Sequence, residues 1–142
     1  MALKTDPKIE LLRRVPLFGS CDSMDLKRVA AIADELDVPD GFVIAHEGSP
    51  EGQLAVIVEG TVRLERDGDE VRRIGPGEYI GEMALLDDAP RTTTATSEGP
   101  VKLVVLTNRA FRELLDEAAP IRATVFETLA RRIRSHEPDS AD

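Results

Sequence analysis

At 142 residues, 42% of them hydrophobic, the chain is long enough for one domain with a proper core. A net charge of −9 sets it against phosphate backbones, so nucleic acid is not the expected main partner. No run approaches the roughly 20 apolar residues that span a bilayer, no basic-then-apolar leader opens the chain, and the lone Cys21 cannot close an internal disulfide; a reduced cytoplasmic setting away from membranes follows as the expectation.

Residues 1–5 read as a loose end, and residues 6–35 as N-terminal helices. Asp6 is placed to cap the first helix, with Pro7 at its first position. Ile9, Leu11, Leu12 and Val15 form an apolar stripe before Pro16, which should stop the helix. A second helix is expected from Asp22 or Ser23, with Leu26, Val29, Ala30, Ile32 and Ala33 on its apolar side. Cys21, in the connection between them, reads as a small buried or half-buried thiol.

From 36 to 106 the texture changes to short Val-, Ile- and Leu-rich runs broken by glycine, the pattern of an all-β sandwich or barrel. Residues 54–58 are continuously apolar and predict a strand covered on both faces. Residues 61–66 alternate, so that strand has one wet face, and Asp67-Gly68 predicts a tight hairpin back into residues 70–74. Gly75-Pro76-Gly77 turns again, and Tyr79-Ile80 leads into the segment 81–93. Residues 93–97 and 101–106 read as two further strands, separated by Glu98-Gly99-Pro100.

The segment 81–93, Gly-Glu-Met-Ala-Leu-Leu-Asp-Asp-Ala-Pro-Arg-Thr-Thr, has the chemistry of a small anion cradle. Gly81 has no Cβ to keep a ligand off the backbone. A short helical turn over residues 83–86 would aim unpaired N–H groups at negative charge. Arg91 adds a permanent charge and a fork of donors suited to two phosphate oxygens. An ionised Glu82 only accepts hydrogen bonds, so a sugar hydroxyl would suit it. A ligand with an anionic end beside a hydroxyl-bearing sugar satisfies both.

The chain closes with helices over residues 107–135. Thr107 or Asn108 should cap a helix carrying Phe111, Leu114 and Leu115 that ends before Pro120. A last helix from Ile121 to about Ser135 spaces Ile121, Val125, Leu129 and Ile133 four apart as one apolar stripe, with Phe126 off that line. Arg131, Arg132 and Arg134 give it a basic end, as suits a helix C-terminus. Residues 136–142 read as a disordered tail. His46 and His136 lie far apart in sequence with no His-x-His pair, so the metal-dependent jelly-roll enzyme reading lacks ligands. No nucleophile–base pair suggests itself, and an enzyme is not expected.

Gly-Glu-Met-Ala-Leu-Leu, a spacer, then Pro-Arg-Thr-Thr-Thr-Ala-Thr closely resembles the phosphate-binding cassette of the cyclic nucleotide-binding domain family, which includes catabolite activator proteins and kinase regulatory subunits. The resemblance runs over residues 10–135, and Val15-Pro16-Leu17-Phe18 also resembles the family's entry phrase. It implies a mainly β fold: an eight-stranded jelly roll with N-terminal helices and C-terminal helices that close as a lid. It implies no cofactor but a cyclic mononucleotide ligand, cAMP rather than cGMP on family frequency. Arg91 would then pair with the cyclic phosphate and Glu82 with the ribose 2′-hydroxyl, with the backbone of Gly81, Met83 and Ala84 nearby. Thr92 could add a hydroxyl contact. Leu64 and Val71 would wall the sugar and base, or simply serve the sandwich core. The departures from the family pattern are Ala55, where an aromatic is common, and Glu51-Gly52, where Gly-Asp is usual. A catabolite activator would continue into a helix-turn-helix. The chain ends first, so a sensor acting on a separate effector is expected, with a homodimer through the C-terminal helix as an accompanying partner. The alternative is a structural or interaction module that keeps the fold without the ligand.

Overall fold

The computed structural model describes residues 7–49, 52–82, 85 and 91–135. The Asp6 cap, Glu51, Met83, Ala84, Leu86, Pro90 and the 136–142 tail lie outside the described residues.

The first helix, α1 (Pro7–Arg13), buries Ile9 and Leu12. Pro16 both ends the segment and opens a 3₁₀ turn, Pro16–Phe18, because its fixed φ suits a first helical position. Next comes α2 (Ser23–Ile32), capped by the Asp22 carboxylate, which accepts from the Asp25 N–H at 2.8 Å. Lys8 Nζ reaches the carbonyls of Ala30 and Ala33 at 3.0 and 2.7 Å, satisfying the end of α2 from α1. Cys21 is buried between these helices. Burial, then the charges of Asp25 and Asp22, push its thiol up to about 11, so it is protonated at neutral pH and a poor nucleophile.

Six strands follow among the described residues: β1 (Asp34–Val38), β2 (Val43–Ala45), β3 (Gln53–Arg66), β4 (Asp69–Ile74), β5 (Tyr79–Ile80) and β6 (Thr94–Thr107). All pairings are antiparallel, in the order β1-β6-β3-β4, with β2 also on β6 and β5 on β3. The fold is an antiparallel jelly roll flanked by helices. Strand β1 begins at Asp34, inside the span expected to be helical, because Ala33 is already extended and Asp34 pairs with Val105. Among the described residues six strands stand against the expected eight, because β3 runs through both 54–58 and 61–66, and β6 through both 93–97 (from Thr94) and 101–106. The break between the halves of β3 is a bulge, not a turn. The register on β6 shifts on either side of Glu59, and Gly60 takes φ +100° with the Pro100 carbonyl too close for any Cβ. Asp67 and Gly68 do form the tight β3–β4 turn, at φ +53° and +84°.

Residues 54–57 of β3 and 103–106 of β6 are buried on both faces. Leu54, Val56, Val104 and Leu106 pack against Leu12, Leu17, Phe18 and Phe111 of the helical layer. Ala55, Ile57, Leu103 and Val105 turn the other way, onto Leu64, Ile74 and Ile80 inside the roll. Each large apolar side chain taken fully from water contributes about 1.5–3 kcal/mol. Phe18 and Phe111 meet edge to face at 5.8 Å, joining the start of the chain to α3 (Asn108–Glu117). The Thr107 hydroxyl caps α3, accepting from the Ala110 N–H at 3.1 Å.

In α4 (Ala119–Ser135) the expected stripe is only half used: Ile121 and Val125 are buried, Leu129 is partly so and Ile133 is 72% exposed. A four-residue step overshoots one helical turn by about 40°, so three steps carry the stripe well off the packed face. Thr128 takes the buried place instead. No helix among the described residues is long and apolar enough to cross a membrane.

Candidate functional site

Strand β5 pairs Ile80 with Ala55 and delivers the chain to Gly81, which is buried at φ +81°. Only glycine adopts that conformation without strain. It is also the only side chain the space allows, since a Cβ there would run into the Gln53 carbonyl oxygen and Arg91 Nη1. The guanidinium of Arg91 therefore lies directly on the Gly81 backbone. Its Nη2 donates to the Gln53 carbonyl at 2.6 Å.

The backbone of Arg91 is held just as closely. Gly48 N–H donates to the Arg91 carbonyl at 2.9 Å, and Arg91 N–H donates to the Ser49 carbonyl at 3.1 Å. Residues 46–49 form a turn closed by Ser49 N–H on the His46 carbonyl, with Gly48 at φ +77°. Gln53, in turn, donates from its amide to the Ile44 carbonyl at 3.2 Å. Ile44, Ala45, His46, Ser49, Gln53 and Arg91 enclose a cavity of about 30 Å³, the size of one water. These contacts fix the position and orientation of the Arg91 fork.

Glu82 is 2% exposed, and its Oε2 accepts from the Leu17 N–H of the 3₁₀ turn at 3.3 Å. Leu85 N–H bonds back to the Glu82 carbonyl at 3.3 Å, and the Leu85 side chain is fully buried among the helix-facing apolar groups. Gly81 and Arg91 are therefore in direct contact, while the Glu82 carboxylate is turned to the Leu17 N–H of the 3₁₀ turn. Met83 and Ala84 lie outside the described residues. Thr92 is exposed, and its carbonyl accepts from Arg66 Nε at 3.2 Å. Leu64 is buried inside the roll, opposite Arg72 on β4 and Ala95 on β6. Val71, on β4, is 49% exposed.

The clamp on Arg91 was not visible in the sequence. Gly48 showed only as a turn glycine, and the Gln53 and Ser49 contributions are carbonyl oxygens, which any residue carries. A wider groove of about 580 Å³ runs along Gly52, Gln53, Thr107, Asn108, Arg109, Arg112, Glu113 and Asp116. It mixes both charge signs and includes neither Gly81 nor Arg91, so the smaller site has the better case as an anion seat. Among the described residues no group of three His, Cys, Asp or Glu could hold a metal.

The profile of the cyclic nucleotide-binding domain matches residues 35–118. Over 138 residues, 94% of this chain, it is 28% identical to a CRP-like cAMP-activated global transcriptional regulator from Mycobacterium tuberculosis, of which it spans 62% of the length. Among solved structures it is similar to the N-terminal domain of a transcriptional regulator from Streptomyces coelicolor A3(2). That match has 34% identity and a TM-score of 0.81, over 92% of this chain and 96% of that one. The regulatory domain of Toxoplasma gondii PKA, solved with cAMP, has 22% identity and a TM-score of 0.69, over 90% of this chain and 49% of that one; it bears on the fold alone.

Proposed function

The chain belongs to the cyclic nucleotide-binding domain family, and from that premise we propose that it binds a cyclic mononucleotide, cAMP in preference to cGMP, and acts as a ligand-responsive module on a separate effector protein. The observation that carries this reading is the Arg91 guanidinium, held by the Gln53 carbonyl and laid against Gly81. A phosphate arriving there meets a guanidinium whose position is already fixed, and Gly81 lets it approach the backbone. Because the arginine is already ordered, little conformational entropy is lost on binding. Glu82 offers an acceptor for the ribose hydroxyl, Thr92 a hydroxyl, and Leu64 and Val71 apolar contact along the sugar and base. The reading contains no chemical step and needs no cofactor.

The preference for cAMP draws on the Mycobacterium relative, described as cAMP-activated. The lone buried cysteine suits a cytoplasmic setting. Titration calorimetry on nucleotide-stripped protein tests the proposal. Saturable heat with cAMP, and weaker binding of cGMP, is expected. No binding of either would leave the alternative, an interaction module without ligand. One observation favours that alternative: the Glu82 carboxylate already serves a structural contact at Leu17.

A homodimer through α4 is part of the same reading. Phe126 and Ile133 are 57% and 72% exposed and seven residues apart, so they share one face of the helix. Sedimentation equilibrium should give a dimer, and Ile133→Glu a monomer. A monomeric wild type at tens of micromolar would remove this part.

A further inference from the structure

Within the 3₁₀ turn, two N–H groups are satisfied locally: Phe18 donates to the Val15 carbonyl at 2.9 Å and Gly19 to Pro16 at 3.2 Å. Pro16 has no N–H to satisfy. The Leu17 N–H instead donates across 65 positions of sequence to the Glu82 carboxylate, in a buried contact. A buried backbone donor needs a partner, so Glu82 holds the N-terminus of this turn. At 3.3 Å the bond is long for a charged acceptor, which ordinarily draws a donor to about 2.7–2.9 Å. It is well placed to be given up.

The turn it holds is central to the helical layer. Leu17 and Phe18 are fully buried, Phe18 meets Phe111 of α3, and α4 packs along the turn. Arg131 of α4 also donates to the Ser20 hydroxyl at 3.2 Å. We propose that Glu82 is a positioning residue that relays ligand occupancy to the helices: a ligand hydroxyl that engages its carboxylate draws it from the Leu17 N–H and loosens the 3₁₀ turn. This rests on the cyclic nucleotide reading above, and it assigns the signal to the sugar hydroxyl and not to the phosphate. The phosphate meets Arg91, which bonds to Gln53, Gly48 and Ser49. The carboxylate has a contact that a hydroxyl can exchange in kind, one donor for another.

The test follows amide hydrogen exchange at Leu17, with Phe18 and Gly19 as internal controls, by NMR. Without ligand, Glu82→Ala should raise exchange at Leu17 tenfold or more over the controls, and Glu82→Gln, which keeps an acceptor, should raise it less. If Glu82→Ala does not fold, Glu82→Gln alone carries this arm through a measurable rise. Unchanged exchange at Leu17 in the variants would overturn the proposal. In the second arm, wild type saturated with cAMP should show faster exchange at Leu17. Saturation with 2′-deoxy-cAMP, which keeps the phosphate and lacks the hydroxyl, should not. Equal effects of the two ligands would overturn the relay. If neither nucleotide binds, the functional reading falls and the relay with it, while the first arm still decides whether Glu82 holds the turn.

Discussion

If the chain binds cAMP as proposed, Arg91→Ala is expected to bind it at least a hundredfold more weakly than wild type, with its fold and far-ultraviolet spectrum native. A hydrogen bond to a charged group contributes about 1.5–3 kcal/mol, and two to one phosphate from a single fork exceed the lower figure. About 2.8 kcal/mol is a hundredfold in affinity. The stability cost is smaller. The Gln53 carbonyl loses its 2.6 Å donor, but it lies in a partly buried position where water can substitute. Arg91→Lys separates charge from geometry: it keeps the cation and loses the planar fork, and should recover only about tenfold of the loss. Calorimetric titration of the three proteins measures this. Wild-type affinity in Arg91→Ala would remove the arginine from the site and the phosphate reading with it.

Gly81→Ala is expected to fail twice. Its φ of +81° costs a residue with a Cβ about 1–2 kcal/mol, and the methyl must displace either the Gln53 carbonyl or the Arg91 guanidinium. The carbonyl belongs to the first residue of β3, which pairs with Thr107 on β6, so the guanidinium is the softer of the two. Stability should therefore fall by about 1–3 kcal/mol in urea denaturation, and cAMP affinity by more than tenfold. The two readouts together distinguish a displaced arginine from a merely loosened fold. A variant that is destabilised yet binds normally would show that Arg91 need not rest on Gly81.

Much of the architecture was legible because the signals were local. The Asp67-Gly68 turn and the two-sided burial of residues 54–58 follow from residue type and periodicity alone, and so do the caps at Asp22 and Thr107. What sequence reasoning missed was set by distant partners. Gly60 looked like the end of a strand, because a bulge and a turn call for the same residue; only the pairing with β6 decides between them. The stripe on α4 was counted correctly, but how far the helical layer extends beneath it cannot be counted. At the site, the arginine, glycine and glutamate could be named in advance from the cassette. The groups that aim them could not. A carbonyl at Gln53 or an N–H at Leu17 leaves no mark in side-chain chemistry.

The edge-to-face pair of Phe18 and Phe111 has a bearing on where this domain begins and ends. The stretch matched by the family profile starts at residue 35, after α1, the 3₁₀ turn and α2. Those same segments cover Leu54, Val56, Val104 and Leu106 from outside. A unit excised at the limits of that profile would carry nearly all of the jelly roll and the cassette, yet leave one side of its longest strands bare. The autonomous unit is therefore larger than the stretch the profile matches. Its two ends, remote along the chain, are stitched into a single covering.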